Sequence, residues 1–192
     1  MNDQKKRILL AGYNGFIGRH LKKMLEIKGF SNIILMSRSN GFDLMSENSF
    51  DGIDCDIVVN LCGLVGIGES WQNPEKFYKV NYLTTLNLLK IARKNCAAFV
   101  QISSYVYGEP EYQPIDELHI IKAYNPYASS KIFSEKLCID YSKNFQIPVT
   151  ILRPFNIYGL EQSSNFLIAQ LIKSAKNKSS VEIFDMDAKR DY

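Results

Sequence analysis

Short, uninterrupted apolar runs alternate along this chain with longer stretches in which apolar residues recur at helical spacing. Ile8-Leu9-Leu10-Ala11 predicts a first strand, and Phe16, Ile17, Leu21, Met24 and Leu25 then mark one face of a helix that closes at Gly29. Ile33-Ile34-Leu35-Met36 predicts a second strand, continuously apolar as a parallel strand covered on both faces should be. Asp56-Ile57-Val58-Val59-Asn60-Leu61 predicts a third, in which the Asn60 amide is costly to bury unless partners meet it. A long helix follows from about Pro74 to Asn95, with proline in its first turn and Phe77, Val80, Leu83 or Thr84, Asn87 or Leu88, and Ile91 along one face. Ala97 to Ile102 predicts a fourth strand. Ala128, Ile132, Phe133, Leu137, Cys138 and Tyr141 mark another helix, Val149 to Leu152 a fifth strand, and Val181 to Phe184 the start of one more. The economical architecture is α/β, a doubly wound parallel sheet with right-handed crossovers. The chain carries no internal repeat and no low-complexity linker.

The 192 residues suffice for one ordinary core, with room for the beginning of a second unit. A content of 46% hydrophobic and 22% charged residues excludes disorder and coiled coil. The net charge of +3 is spread along the chain without a basic block, which argues against a nucleic-acid partner. No apolar run approaches the ~18–20 residues of a membrane span. Lys5-Lys6-Arg7 ahead of an apolar run imitates a secretory leader, but Asn14, Arg19 and His20 interrupt it, so a cytoplasmic location is expected. Cys55, Cys62, Cys96 and Cys138 show no metal or disulfide spacing and read as buried thiols in a reducing compartment; no metal site is expected.

Candidate chemistry collects at the ends of the predicted strands. Gly12-Tyr13-Asn14-Gly15-Phe16-Ile17-Gly18 places three glycines at three-residue spacing between a strand and a helix. Such a turn lets a phosphate approach the backbone and offers it the unpaired N–H groups of the helix start. The spacing is a variant of the usual dinucleotide signature, and a glycine-rich turn after a strand is often only a turn. At the end of the second strand an acid would favour a free ribose 2′-hydroxyl and an arginine a 2′-phosphate. Ser37-Arg38-Ser39 stands there, which leans toward NADP over NAD, although Arg38 also reads as a solvated loop charge. Asn81 lies beside the apolar face of its helix, as a site residue or an exposed helical Asn. Tyr127 and Lys131, four apart, share a helix face. Bringing a phenol from its ordinary value to neutrality requires about 4 kcal/mol. A cation about 4 Å away at an effective dielectric near 20 supplies roughly that. Tyr127 is thus a candidate acid/base tuned by Lys131, against the alternative of a surface pair. The glycine turn, Ser103-Ser104 and Tyr127/Lys131 all fall on one edge of the expected sheet.

In combination these motifs resemble the extended short-chain dehydrogenases/reductases, specifically the nucleotide-sugar epimerase/dehydratase family. The matching segments are Gly12–Gly18, Leu61-Cys62-Gly63, Asn81, Ser103-Ser104-Tyr105-Val106-Tyr107-Gly108, Tyr127-Ala128-Ser129-Ser130-Lys131 and Arg153-Pro154-Phe155-Asn156-Ile157-Tyr158-Gly159. The run Gly63 to Ser70 is similar to the UDP-glucose 4-epimerases. The resemblance implies a Rossmann fold, with a dinucleotide-binding domain over 1–160 and the beginning of a substrate-binding domain over 161–192. It implies NADP or NAD on Gly12, Asn14, Gly15, Phe16, Ile17 and Gly18, with Ser37 and Arg38 at the ribose and Asp43 and Leu44 near the adenine. Leu61, Cys62, Gly63, Asn81 and Phe155 complete the implied cofactor site. Ser103 would orient the sugar hydroxyl, with Ser104 the alternative and otherwise a substrate contact. Tyr127 would exchange the proton, Lys131 would hold the nicotinamide ribose, and Asn156 and Arg190 would reach a nucleotide-sugar. The implied reaction is hydride exchange at a sugar carbon, usually C4, in the making of surface-polysaccharide sugars. The helices from Pro74 and Tyr127 form a dimer interface in many relatives, so a homodimer is expected.

The sequence departs from the pattern at particular positions. Val65 replaces an epimerase lysine, and Ser37-Arg38 replaces the acid typical of NAD-dependent members, a change similar to that in NADP-using sugar reductases. Ser104 and Tyr105 stand where dehydratases carry Asp-Glu, which disfavours 4,6-dehydration. Arg190-Asp191-Tyr192 resembles an element after which family chains continue, so a C-terminally truncated chain with an incomplete sugar pocket and little activity of its own is expected. The alternative readings are an inactive remnant and a cofactor-binding regulator on the same fold.

Overall fold

A computed structural model of the chain describes residues 3–46, 50 and 52–183. It separates into two compact units, Met1–Arg153 and Pro154–Tyr192. In the first, strands β1 (Ile8–Ala11), β2 (Ile33–Met36), β3 (Ile57–Asn60), β4 (Ala98–Ile102) and β5 (Val149–Leu152) form one parallel sheet in the order β2-β1-β3-β4-β5. Helices α1 (Phe16–Ile27), α2 (Ile67–Gln72), α3 (Pro74–Asn95) and α4 (Pro126–Phe145) connect them. Among the described residues no helix is long and apolar enough to cross a membrane.

The uninterrupted apolar strands are explained by burial on both sides. Along β1, Ile8 and Leu10 pack with Val59 against Leu21 and Leu25 of α1. Leu9 and Ala11 face the opposite way, into a cluster with Val58, Phe99, Leu88, Leu89 and Cys138, where α3 and α4 cover the sheet. The order reverses between β1 and β3, and in such sheets the crevice outside the carboxyl ends at that point receives ligands. The Gly12 turn and the Leu61-Cys62-Gly63 segment leave the sheet at this place.

Asn60 finds its partners. It is fully buried, opposite Gln101 in register, and its Nδ2 donates to Gln101 Oε1 (2.8 Å) and Thr85 Oγ1 (3.2 Å). Its Oδ1 accepts from the Cys62 N–H at 3.0 Å, so the network ties the sheet centre to α3 and aims the chain leaving β3.

Two expectations are corrected. Cys96 is exposed rather than buried, because it occupies the left-handed position that ends α3 (φ 51°) and so leaves the apolar face. No strand forms over Val181–Ile183, and Phe184 lies outside the described residues. The short helix α2, and in the second unit the helix α5 (Leu167–Asn177), add elements that the apolar pattern did not mark.

Asn60→Leu keeps the approximate shape but leaves Gln101 Oε1 and the Cys62 N–H without this partner. The expected cost is about 1–3 kcal/mol, read as a lower urea midpoint at unchanged slope. A midpoint equal to that of the wild type would show that the network contributes nothing.

Candidate active site

The glycine turn is shaped by contacts that leave no room for side chains. Gly12 adopts φ 81°, and a Cβ there would sit 3.0 Å from the Leu61 carbonyl carbon and from Cys62, so the ends of β1 and β3 touch through it. A Cβ on Gly18 would lie 2.3 Å from the Gly12 carbonyl oxygen and 2.6 Å from the Tyr13 Cα, which makes the third glycine the seat of α1 against its own turn. Gly15 begins α1 with no capping side chain and no acid in the first turn. An uncapped helix start beside two close-packed strand ends fits a dinucleotide pyrophosphate.

At the end of β2, Ser37 is buried and forms a reciprocal capping pair with Asn40. Its hydroxyl meets Ser39 Oγ at 2.7 Å, and Asn14 Nδ2 donates to the same Ser39 oxygen at 3.1 Å, bridging the glycine turn to the β2 end. Arg38 is exposed beside them. Asp43 is exposed and accepts the Met45 N–H, whereas Leu44 packs in the core and its carbonyl accepts from Asn87.

The turn after β3 is held by one side chain. Asn81, 2% exposed on α3, accepts the Leu64 N–H at 2.7 Å and donates to the Leu64 carbonyl (3.3 Å) and to Ser130 Oγ (2.8 Å) on α4. Gly63 is required here, since its φ is 149° and a Cβ would lie 2.8 Å from Asn81 Oδ1 and 3.7 Å from Lys131 Nζ. Lys131 thus points at the Gly63 turn. Asn125 caps α4 by accepting the Ala128 N–H at 2.8 Å, and Pro126 fills its first turn, which fixes where Tyr127 leaves the helix.

Burial dominates the ionisation of the site. It lowers the Lys131 ammonium to about 8, opposed by the charge of Glu135. The same desolvation pushes the Cys62 and Cys138 thiols up to about 12, so neither is a thiolate. Tyr127, its ring edge-on to Phe77 at 6.2 Å between centroids, is also raised by burial, and a hydrogen bond with Ser104 opposes that shift. The expectation that Lys131 pulls the phenol down is therefore corrected: the side chain acting on Tyr127 is Ser104, and the resting phenol is protonated. Ser103 is 3% exposed, its N–H donates to the Leu152 carbonyl at 2.7 Å, and its buried Oγ has no hydrogen-bond partner among the described residues.

The first unit thus carries Gly12–Gly18, Ser37, Arg38, Leu61, Cys62, Gly63, Asn81, Ser103, Ser104, Tyr127 and Lys131 at the carboxyl edge of the sheet or on the helices that border it. Phe155 and Asn156 belong to the second unit, where Asn156 lines a depression with Tyr158, Gln162 and Phe166. Arg190 lies outside the described residues. Sequence reasoning missed Ser130, which joins Asn81 to α4, and the buried pair of Glu135 with Arg153. The signal for Glu135 was its place four residues beyond Lys131 on the same face. Among the described residues no group of His, Cys, Asp and Glu could hold a metal ion.

A family model described as the NAD dependent epimerase/dehydratase family matches residues 8–192. The chain is 31% identical over 201 residues to the GDP-6-deoxy-D-mannose reductase of Pseudomonas aeruginosa, covering 97% of this chain and 66% of that protein. It is 31% identical over 189 residues to the UDP-glucose 4-epimerase of Pisum sativum, covering 82% and 54% respectively. Among solved structures, RMD from Pseudomonas aeruginosa complexed with NADPH superposes with a TM-score of 0.84 at 32% identity, over 96% of this chain and 68% of that one. The chain thus spans from about half to about two thirds of the length of these relatives.

The depressed Lys131 has a consequence for stability. Between about 8, its folded value, and 10.5, its ordinary one, the unfolded chain binds a proton that the folded chain does not, so this group's contribution to stability rises with pH across that window. Below pH 8 the burial penalty is complete, on the order of 3 kcal/mol. The stability gap between Lys131→Met and the wild type, measured by urea unfolding, should be largest below pH 8 and shrink toward pH 10.5. A gap constant over that window would show an ordinary ammonium.

Proposed function

The chain belongs to the NAD dependent epimerase/dehydratase family, and from this we propose that it carries the cofactor-binding and acid/base machinery of a nucleotide-sugar epimerase or reductase. The observation that carries the reading is a half-buried Tyr127 one helical turn from a buried Lys131 whose Nζ lies beside the Gly63 turn. The Gly12–Gly18 turn would hold the pyrophosphate of a nicotinamide dinucleotide, which would supply hydride exchange at a sugar carbon, usually C4. Tyr127 manages the accompanying proton at the sugar oxygen. In the protonated form that burial favours, it is ready to donate to a carbonyl undergoing reduction. Ser104 orients the phenol and Ser103 Oγ offers its unmet hydrogen bond to the substrate. Lys131 holds the nicotinamide ribose. Leu61, Cys62, Gly63 and Asn81 line the cofactor, Asp43 and Leu44 lie by the adenine, and Phe155 completes the site. Residues 161–192 begin the substrate-binding part, with Asn156 and Arg190 as nucleotide-sugar contacts. The absence of an Asp-Glu pair at Ser104-Tyr105 argues against dehydration.

Three features favour NADP over NAD: no acid ends β2, Arg38 is exposed there, and Ser37, Ser39 and Asn14 cluster hydroxyl and amide groups beside it. Supply of sugars for surface polysaccharide, a cytoplasmic location and a homodimer through α3 and α4 complete the proposal.

Assayed with NADP(H) or NAD(H) and a panel of UDP-, GDP- and dTDP-sugars, Tyr127→Phe should lower kcat by about 100-fold or more while cofactor affinity holds. Turnover intact in that variant would point to a cofactor-binding regulator instead. Arg38→Ala should weaken NADPH binding by about tenfold or more and NADH binding little, as expected from losing a charge-assisted contact. Equal losses, measured by fluorescence titration, would remove the basis for preferring NADP.

A further inference from the structure

One ion pair in the first unit is buried where stability alone does not account for it. Glu135 is 2% exposed on α4, and Arg153 at the end of β5 grips it from Nε (3.0 Å to Oε1, 3.2 Å to Oε2) and Nη2 (2.6 Å to Oε2). Arg153 Nη1 also donates to the Tyr107 hydroxyl at 3.1 Å, with the guanidinium carbon 5.3 Å from that ring's centroid. The guanidinium therefore joins β5, α4 and the segment after β4 that begins with Ser103 and Ser104. Burying such a pair costs about as much solvation as its attraction returns, so its presence is weak evidence for a stabilising role. Glu135 lies one turn beyond Lys131, which lies one turn beyond Tyr127. The titratable groups facing the Lys131 ammonium are Cys62 from the β3 turn and Glu135 and Cys138 from α4, with Tyr127 on the same helix face. The two thiols are uncharged, which leaves Glu135 as the carboxylate acting on the lysine.

We propose that Glu135 and Arg153 are positioning residues for Lys131: Glu135 supplies the counter-charge that keeps the buried ammonium protonated at neutral pH. Arg153 fixes that carboxylate in place. The functional meaning rests on Lys131 being the cation that holds the nicotinamide ribose, but the device can be read without turnover.

The test follows the ¹³Cε signal of Lys131 through a pH titration of protein labelled with ¹³C-lysine, the signal being identified by its loss in Lys131→Met. The wild-type midpoint is expected at about 8. Glu135→Gln should lower it by a pH unit or more, a tenfold loss of proton affinity. The double variant Glu135→Gln/Arg153→Met, which leaves no guanidinium buried alone, should titrate between the single variant and the wild type. A wild-type midpoint in Glu135→Gln overturns the proposal, even if the melting temperature falls, because that is the signature of a purely structural pair. If Glu135→Gln does not fold, the double variant decides, and a wild-type midpoint there overturns it equally. A shifted midpoint in a protein that turns over no nucleotide-sugar would uphold the charge device and sink the reaction assigned above.

Discussion

Both backbone polar groups of Leu64 are met by a single buried carboxamide, and much of the site's geometry follows from that. Asn81 spends its oxygen and one N–H on the turn after β3 and the other on Ser130, so α3, α4 and the β3 turn converge on one side chain. Its own carbonyl accepts from Thr85 and Ser134, which extends the clamp along both helices. The approach is close enough that only glycine fits at position 63. Tyr127 and Lys131 ride on α4, and the position of Lys131 over the Gly63 turn is therefore set by a hydrogen-bond network rather than by the helix surface on which the two residues lie.

Polar groups are satisfied unevenly across this unit. In the sheet and between the helices, Asn60, Gln101, Thr85, Asn87 and Ser134 all have protein partners, as buried polar groups must. At the carboxyl edge the Ser103 hydroxyl has no partner among the described residues, α1 starts without a capping side chain, and a lysine is buried at the expense of its proton affinity. Unmet groups of this kind are where a ligand gains most on binding, since it supplies hydrogen bonds the folded chain leaves unmade. A second buried atom without a partner among the described residues, His119 Nδ1, lies against Tyr107 and Tyr112.

The similarity to a GDP-sugar reductase and to a UDP-sugar epimerase at the same identity is consistent with this distribution. What the two relatives' names share is a nucleotide-linked sugar, and what they do not share is the sugar and the nucleotide. The described part of the second unit contains a depression around Asn156 and the helix α5.

The sheet and its order of elements were legible in the sequence because parallel strands covered on both faces must be continuously apolar, and the long helices must carry an apolar stripe. That Gly12–Gly18, Ser103, Ser104, Tyr127 and Lys131 fall at one edge of the sheet was equally legible, since glycines at a strand-to-helix turn and a Tyr/Lys pair four apart are local patterns. Cys96 was misplaced because a helix-ending residue obeys backbone geometry rather than hydrophobicity. The tuning of Tyr127 was misassigned because the direction of Lys131 depends on where Gly63 and Cys62 stand, which lie far from it along the chain. Sequence by itself determined which residues this protein brings to one edge of a parallel sheet, because periodicity and turn chemistry are local. Only the tertiary structure decided which of them touch, and with that their charge states, because desolvation and hydrogen-bond partners come from segments distant in the chain.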